Sequence, residues 1–248
     1  MDEMGAKVIG LAGVPHLETI KSYLDKGYTI VDLDNPLDGV RREEKIIPRV
    51  YCPILRRVAE NCFHLFRNDG LSLVLADVGE GKCDGMRYLA SYFELEGIPV
   101  IVERNSNMTG AGFPISVSDL SLREKMELIV DTVIKPPPSG IKLRKTKPVC
   151  GFWGVPPYDF DILDLFPENT HIYGWTRCME NKTPADLSLE LSLDPDVPTV
   201  FFAHSFCQKT VLACNLAKRY QGLFVEVDER LTRSTTAKIE AFIKFNVR

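Results

Sequence analysis

Residues 71–104 and 200–227 read as two versions of one unit, strand, turn, helix, strand, and this duplication constrains the chain more than any other feature. In the first version, residues 73–76 are a short apolar run with Gly70 before it and Gly79 and Gly81 after it. Such a run, bounded by turn residues, suits a strand buried on both faces of a parallel sheet. Asp77 ends the run. From Met86 the apolar spacing becomes helical, through Leu89, Ala90, Phe93 and Leu95. Gly97 closes that helix and residues 99–102 begin the next strand. In the second version the strand is 200–203, the turn is His204-Ser205-Phe206-Cys207, the helix is 208–220 and the strand is 223–227. Cys83 aligns with Cys207.

The segments before these units also repeat. Residues 7–12 form a strand, Gly13-Val14-Pro15-His16 a turn, Leu17 to Leu24 a helix and 28–33 a strand. At a constant offset of 141, Gly10, Gly13, Val14, Pro15 and Leu24 fall on Gly151, Gly154, Val155, Pro156 and Leu165, and Thr29 falls on Thr170. Two alignments in the same order imply an α/β fold of two similar Rossmann-like lobes made by internal duplication. Each lobe is expected to be a mainly parallel sheet flanked by helices. The expected division is 1–115 for the first lobe with its Gly-rich loop, 116–146 for a helix and Pro-rich linker, and 147–248 for the second lobe. Ser121 and Glu124 make a capping box at the start of the linker helix, and Pro136-Pro137-Pro138 stiffens the end of the linker. The first lobe has an additional helix at 48–66, with Val50, Ile54, Val58, Cys62 and Leu65 on one stripe. The second has a shorter polar segment at 179–194, and 234–245 reads as a C-terminal helix.

In open α/β sheets, ligands bind beyond the carboxyl ends of the strands, and two lobes would bring two sets of such ends to one cleft. Glycines admit a ligand close to the backbone, and the amides of a helix start hold a phosphate or carboxylate. An acidic residue ending the second strand, here Glu103, takes ribose hydroxyls. The string Asp77-x-Gly79-x-Gly81-x-x-x-Gly85 resembles the first motif of Rossmann-like methyltransferases and, less closely, the GxGxxG fingerprint of dinucleotide-binding folds. It departs from the fingerprint by an extra residue before the last glycine and by Lys82, where small residues are usual. The resemblance covers this unit alone. It implies a transferase, methyltransferase-like, holding S-adenosylmethionine or NAD(P) on Asp77, Gly79, Gly81, Gly85 and Glu103.

Asp77 and His204 end equivalent strands and are the candidate acid/base pair, with Cys207 beside them as a third catalytic candidate. A competing reading uses Cys83, Cys178 and Cys207, each following a strand, as thiolates around a metal or an iron–sulfur cluster. A third makes the chain a non-enzymatic small-molecule binding or assembly protein. Cys52, Cys62, Cys150 and Cys214 lie within elements and suit core filling. Phe152, Trp153, Tyr158 and Phe160 either stack on a planar ligand or plug the core. The polar loop 104–112 reads as a flap or an ordinary surface loop.

Composition narrows the class. A formal net charge of −4 leaves no electrostatic footprint for nucleic acid, and no apolar run reaches the length of a membrane span. Asp2 and Glu3 do not suit a secretory signal. Seven cysteines at irregular spacing, with no CxxC, argue against a disulfide framework or a zinc ribbon. A cytoplasmic protein with a small-molecule substrate is expected, with neither nucleic acid nor membrane as partner and homo-oligomerisation left open.

Overall fold

The apolar runs are strands, and the strand order is the same in both halves. The structure, a computed structural model, describes residues 7–40, 47, 48, 50–68, 70–110, 112–137 and 140–247. Asp2, Glu3, Ala111 and Pro138 lie outside the described residues. The chain divides into two compact units, Met1–Ser106 and Asn107–Arg248. Each contains a four-stranded, all-parallel sheet flanked by helices, an α/β fold with two similar lobes.

The first lobe runs β1 (Val8–Ala12), α1 (Leu17–Asp25), β2 (Thr29–Asp32), α2 (Pro53–Asn68), β3 (Leu71–Asp77), α3 (Asp84–Leu95), β4 (Val100–Glu103). Its strand order is β2-β1-β3-β4. The two central strands are the apolar runs, with Ile9, Leu11, Val74 and Leu75 fully buried. Successive side chains point to opposite faces, so a strand covered on both sides has to be apolar throughout. α2 and α3 pack together on one face, where Phe63 meets Phe93 edge-on at 5.8 Å. α2 begins at Pro53, later than the expected 48, because proline at the first helical position gives up only an amide that no helical carbonyl would accept.

The second lobe opens with α4 (Leu122–Asp131) and continues β5 (Cys150–Trp153), a 3₁₀ turn (Phe160–Leu165), β6 (Thr170–Tyr173), α5 (Trp175–Asn181), α6 (Leu187–Leu191), β7 (Thr199–Ala203), α7 (Lys209–Arg219), β8 (Leu223–Glu226) and α8 (Arg233–Asn246). Its order is β6-β5-β7-β8. The capping box forms, with the Ser121 amide donating to Glu124 Oε2 at 2.8 Å and the Glu124 amide to Ser121 Oγ at 3.3 Å. Arg123, between the two capping residues, forks onto Asp161 and Asp164 at 2.9 and 2.6 Å and so ties α4 to the 3₁₀ turn. The polar segment 179–194 contains the end of α5 and the whole of α6.

Two alternatives left open by the sequence are narrowed here. Phe152 and Trp153 are fully buried neighbours in β5, one stacked on Phe202 at 5.7 Å and the other against Phe201 at 6.0 Å. They are core and offer no face to a ligand. In the 104–112 loop, Asn107 and Gly110 are packed on the end of α5: Asn107 Nδ2 donates to Lys182 O at 3.1 Å, and a Cβ on Gly110 would collide with Asn181 O.

The repeat is also out of phase at its first strand. Thr29 pairs with Val8 and Thr170 with Cys150, which sets β5 one residue beyond the offset that matches Gly13 with Gly154. A shift of one residue exchanges the two faces of a strand. Equivalent positions are therefore better taken from the ladders, where Asp77 lies opposite Glu103 and Ala203 opposite Glu226.

β6 lies at the edge of its sheet, where unpaired backbone groups invite another strand. Two of them are satisfied within the lobe. The Ile172 amide donates to Ser116 O at 3.0 Å, and Lys125 Nζ donates to Thr170 O at 2.7 Å. Lys125 is 0% exposed, and burial pushes its ammonium down to about 8, with Asp119 pulling the other way. The folded chain therefore sheds this proton before the unfolded chain does. The cost of the buried charge is fully present below pH 8 and is relieved as pH rises from there toward the ordinary lysine range. From pH 7 to 9.5 the protein is expected to gain on the order of 2 kcal/mol more stability than Lys125→Met. Urea midpoints at the two pH values measure this, and equal shifts in both proteins would show that the ammonium reaches water.

Candidate functional site

At the carboxyl edge of the first sheet, the chain leaving β1 turns toward β2 and the chain leaving β3 turns toward β4. That divergence is the switch point at which open α/β sheets hold ligands. Asp77, the last residue of β3, stands there at 3% exposure. Its Oδ1 accepts from the Asn105 amide at 2.9 Å and from the Lys82 ammonium. Burial raises the Asp77 carboxyl to about 6, against the pull of Lys82 and Asn105. At neutral pH it is ionised beside the ammonium, and the pair closes the turn from within.

Gly79 and Gly81 set the path of that turn, with φ of 132° and 77°, where other residues are strained. Gly85 is glycine for a different reason. A Cβ there would stand 2.3 Å from Leu55 Cδ1, so this is where α3 presses on α2. Glu103 sends Oε2 to the His16 amide at 2.9 Å, at the start of α1, and Asn105 Nδ2 reaches Val14 O at 3.0 Å. Both cross the end of β3 to reach the loop after β1, so residues leaving β4 stitch the switch point shut. After β2, Asp34 Oδ2 accepts the Gly13 amide at 2.7 Å, and burial raises this carboxyl as well. α2 supports the same edge through Arg57 on Asp34 O at 3.2 Å and Asn61 on Leu33 O at 2.9 Å.

The second lobe ties its loops with a different residue. His204, one step past β7, is 1% exposed, and its ring nitrogens lie 2.7 Å from Val227 O and 3.2 Å from Pro156 O. Val227 follows β8 and Pro156 follows β5, so the imidazole holds the two loops that Asn105 holds in the first lobe. Ser205 braces the turn, its amide on Asp228 Oδ1 at 2.9 Å and its hydroxyl on Glu226 Oε1 at 2.7 Å. Lys209, the first residue of α7, pairs with Glu190 Oε2 at 2.6 Å and lies 5.5 Å from the centre of the Trp175 ring.

Of the residues singled out from the sequence, Asp77, Gly79, Gly81 and Glu103 share one edge of the first lobe, while Gly85 belongs to a helix contact. His204 and Cys207 share one turn of the second lobe, the Cys207 amide donating to His204 O at 3.1 Å. Cys83 is exposed at the start of α3, and Cys207 is half-buried. Cys178 is buried in α5, where its thiol donates to Asp186 O at 3.5 Å and burial pushes it up to about 12. A cysteine ligand has to be a thiolate, and burial at Cys178 opposes that form. Among the described residues, no group of three or more His, Cys, Asp or Glu is placed to hold a metal ion. No helix among them is long and apolar enough to cross a membrane. A groove of about 470 Å³ in the second unit, lined by Phe113, Leu128, Pro136, Pro137, Ile141 and their neighbours, carries no titratable side chain.

No family model and no curated protein matches the chain. Among solved structures it is similar to the RedJ thioesterase of the prodiginine biosynthetic pathway in Streptomyces coelicolor, at 13% identity and a TM-score of 0.23 over 99% of this chain and 87% of that one. A likeness that weak carries no argument about activity.

The Asp77–Lys82 pair makes its own prediction. Asp77→Asn leaves an ammonium buried without its carboxylate and is expected to cost about 3–5 kcal/mol at pH 7. Replacing both partners, Asp77→Leu with Lys82→Met, is expected to recover only part of the loss, since the Asn105 amide is left bare at a cost of about 1–3 kcal/mol. Denaturant unfolding of the three proteins decides it, and an Asn variant as stable as the parent would show that Lys82 reaches solvent.

Proposed function

We propose that the protein is an α/β enzyme that holds a nucleotide-type cofactor, S-adenosylmethionine or NAD(P), at the carboxyl edge of its first lobe. The transfer of a group to a small molecule is the chemistry that the turn motif suggests. The observation that carries this reading is the pairing of Asp77 with Glu103 at neighbouring strand ends, beside a turn bent by Gly79 and Gly81. Asp77, Lys82 and Asn105 hold the turn rigid, so the amides at the start of α3 meet a ligand without first being ordered. Glu103 gives Oε2 to the His16 amide, and its Oε1 is the oxygen that ribose hydroxyls would use. The inside of the turn is filled by Lys82, so the ligand is placed on the outer rim, along Glu80, Cys83 and Asp84.

One observation favours a second reading, binding without turnover. Asp77 is already ion-paired and His204 already lies between two carbonyl oxygens. A general base has to be within reach of substrate, and at 3% and 1% exposure neither side chain is so in this arrangement.

Calorimetric titration of the purified protein with S-adenosylmethionine, NAD and NADP tests the proposal. Binding of one of them is expected, at least tenfold weaker in Glu103→Ala. No heat from any of the three, or an unchanged affinity in Glu103→Ala, would remove it. Turnover that disappears in His204→Gln, with cofactor binding retained, would separate the enzymatic reading from the second one.

A further inference from the structure

The turn that precedes α3 and the turn that precedes α7 share a backbone feature. Gly81 stands three residues before the first residue of α3, and Phe206 three residues before the first of α7. Both are left-handed, with φ of 77° and 61°. The second lobe therefore places a phenylalanine where the first uses glycine, and an L side chain is strained in that conformation. Among the described residues, the other non-glycine residues with positive φ are Asn169, Lys182 and Gln221. Asparagine tolerates the region, and Lys182 and Gln221 lie just past helix ends, where it is common. Phe206 has neither excuse, and at 74% exposure its ring gains little from burial to offset the strain.

We propose that this turn is a separate binding site for a nucleoside without phosphate, its base stacked on Phe206. A residue held in a strained conformation and turned to solvent is retained for what it presents, and a phenyl ring presents only a flat apolar face. Stacking suits a planar base. The ring is already positioned, because Ser205, its neighbour, is fixed by two hydrogen bonds to Asp228 and Glu226. Val211, the third residue of α7, is also exposed, at 78%. Glu226 is the ladder counterpart of Glu103, and both it and Asp228 are exposed carboxylates beside the turn. Each has an oxygen beyond the one that Ser205 uses. Such oxygens accept ribose hydroxyls and repel a phosphate, so the charge selects a nucleoside over a nucleotide.

The test uses the full chain carrying Glu103→Ala, so that ligand on the first lobe does not enter the reading, with adenosine and AMP as probes. Adenosine is expected to bind, with AMP at least tenfold weaker. Phe206→Gly is expected to raise Tm by about 2–4 °C while weakening adenosine at least tenfold. Phe206→Trp is expected to keep binding, with fluorescence that is quenched by adenosine. The proposal fails if adenosine does not bind, if AMP binds as well as adenosine, or if Phe206→Gly binds like the parent. It also fails if sedimentation shows self-association that Phe206→Gly abolishes, since the ring would then serve a second copy of the chain.

Discussion

A parallel strand covered on both faces has no place for a polar side chain along its length, so polar groups collect where the strand ends. In the first lobe that constraint concentrates at Asp77. Its carboxylate receives the Lys82 ammonium and the Asn105 amide, and Asn105 in turn holds the loop after β1. Three loops leaving three strands are thus tied through one buried carboxylate. In a medium of low dielectric such bonds are strong when complete and costly when broken. The shape of the turn, the seat of α3 and the position of Glu103 all follow from that arrangement.

The second lobe reaches the same backbone arrangement with a ring in place of an ion pair. Ala203 stands at the ladder position of Asp77, so the end of β7 carries no carboxylate. His204 bridges the loops after β5 and β8 instead. Two lobes with one strand order have therefore diverged most where their chemistry would lie. The sheet interior has not diverged in kind, since any strand in that position has to be apolar.

This also explains which features were legible in the sequence. β1, β3, β5 and β7 stood out because burial on both faces forces continuous apolar runs, and α2 and α3 because one-sided burial forces a stripe. The capping box at Ser121 and Glu124 is local chemistry and formed as expected. The partners of Asp77 and Glu103 were not legible. The Asn105 amide is 28 residues from Asp77, and the His16 amide is 87 residues from Glu103, so neither contact leaves a periodic trace. Aligned glycines misled by one residue at β5, because the turn glycines and the ladder pairing need not keep the same phase. Phe206 was visible in the turn, but nothing in the sequence marks it as left-handed.

The two buried charges that organise the lobes titrate on either side of neutrality, and in opposite senses. Asp77 is raised to about 6, so the folded chain binds that proton more tightly than the unfolded one. Its contribution to stability falls as pH rises from the ordinary carboxylate range to 6. Lys125 is lowered to about 8, so its contribution rises only above pH 8. Between those values both groups are charged and both desolvation costs are fully present. Neutral pH is therefore where these two residues favour folding least. That they remain charged there, one inside a turn and one against a sheet edge, indicates what they supply. Each satisfies backbone groups that a hydrophobic replacement would leave bare, and so specifies where the loops and the edge strand must sit.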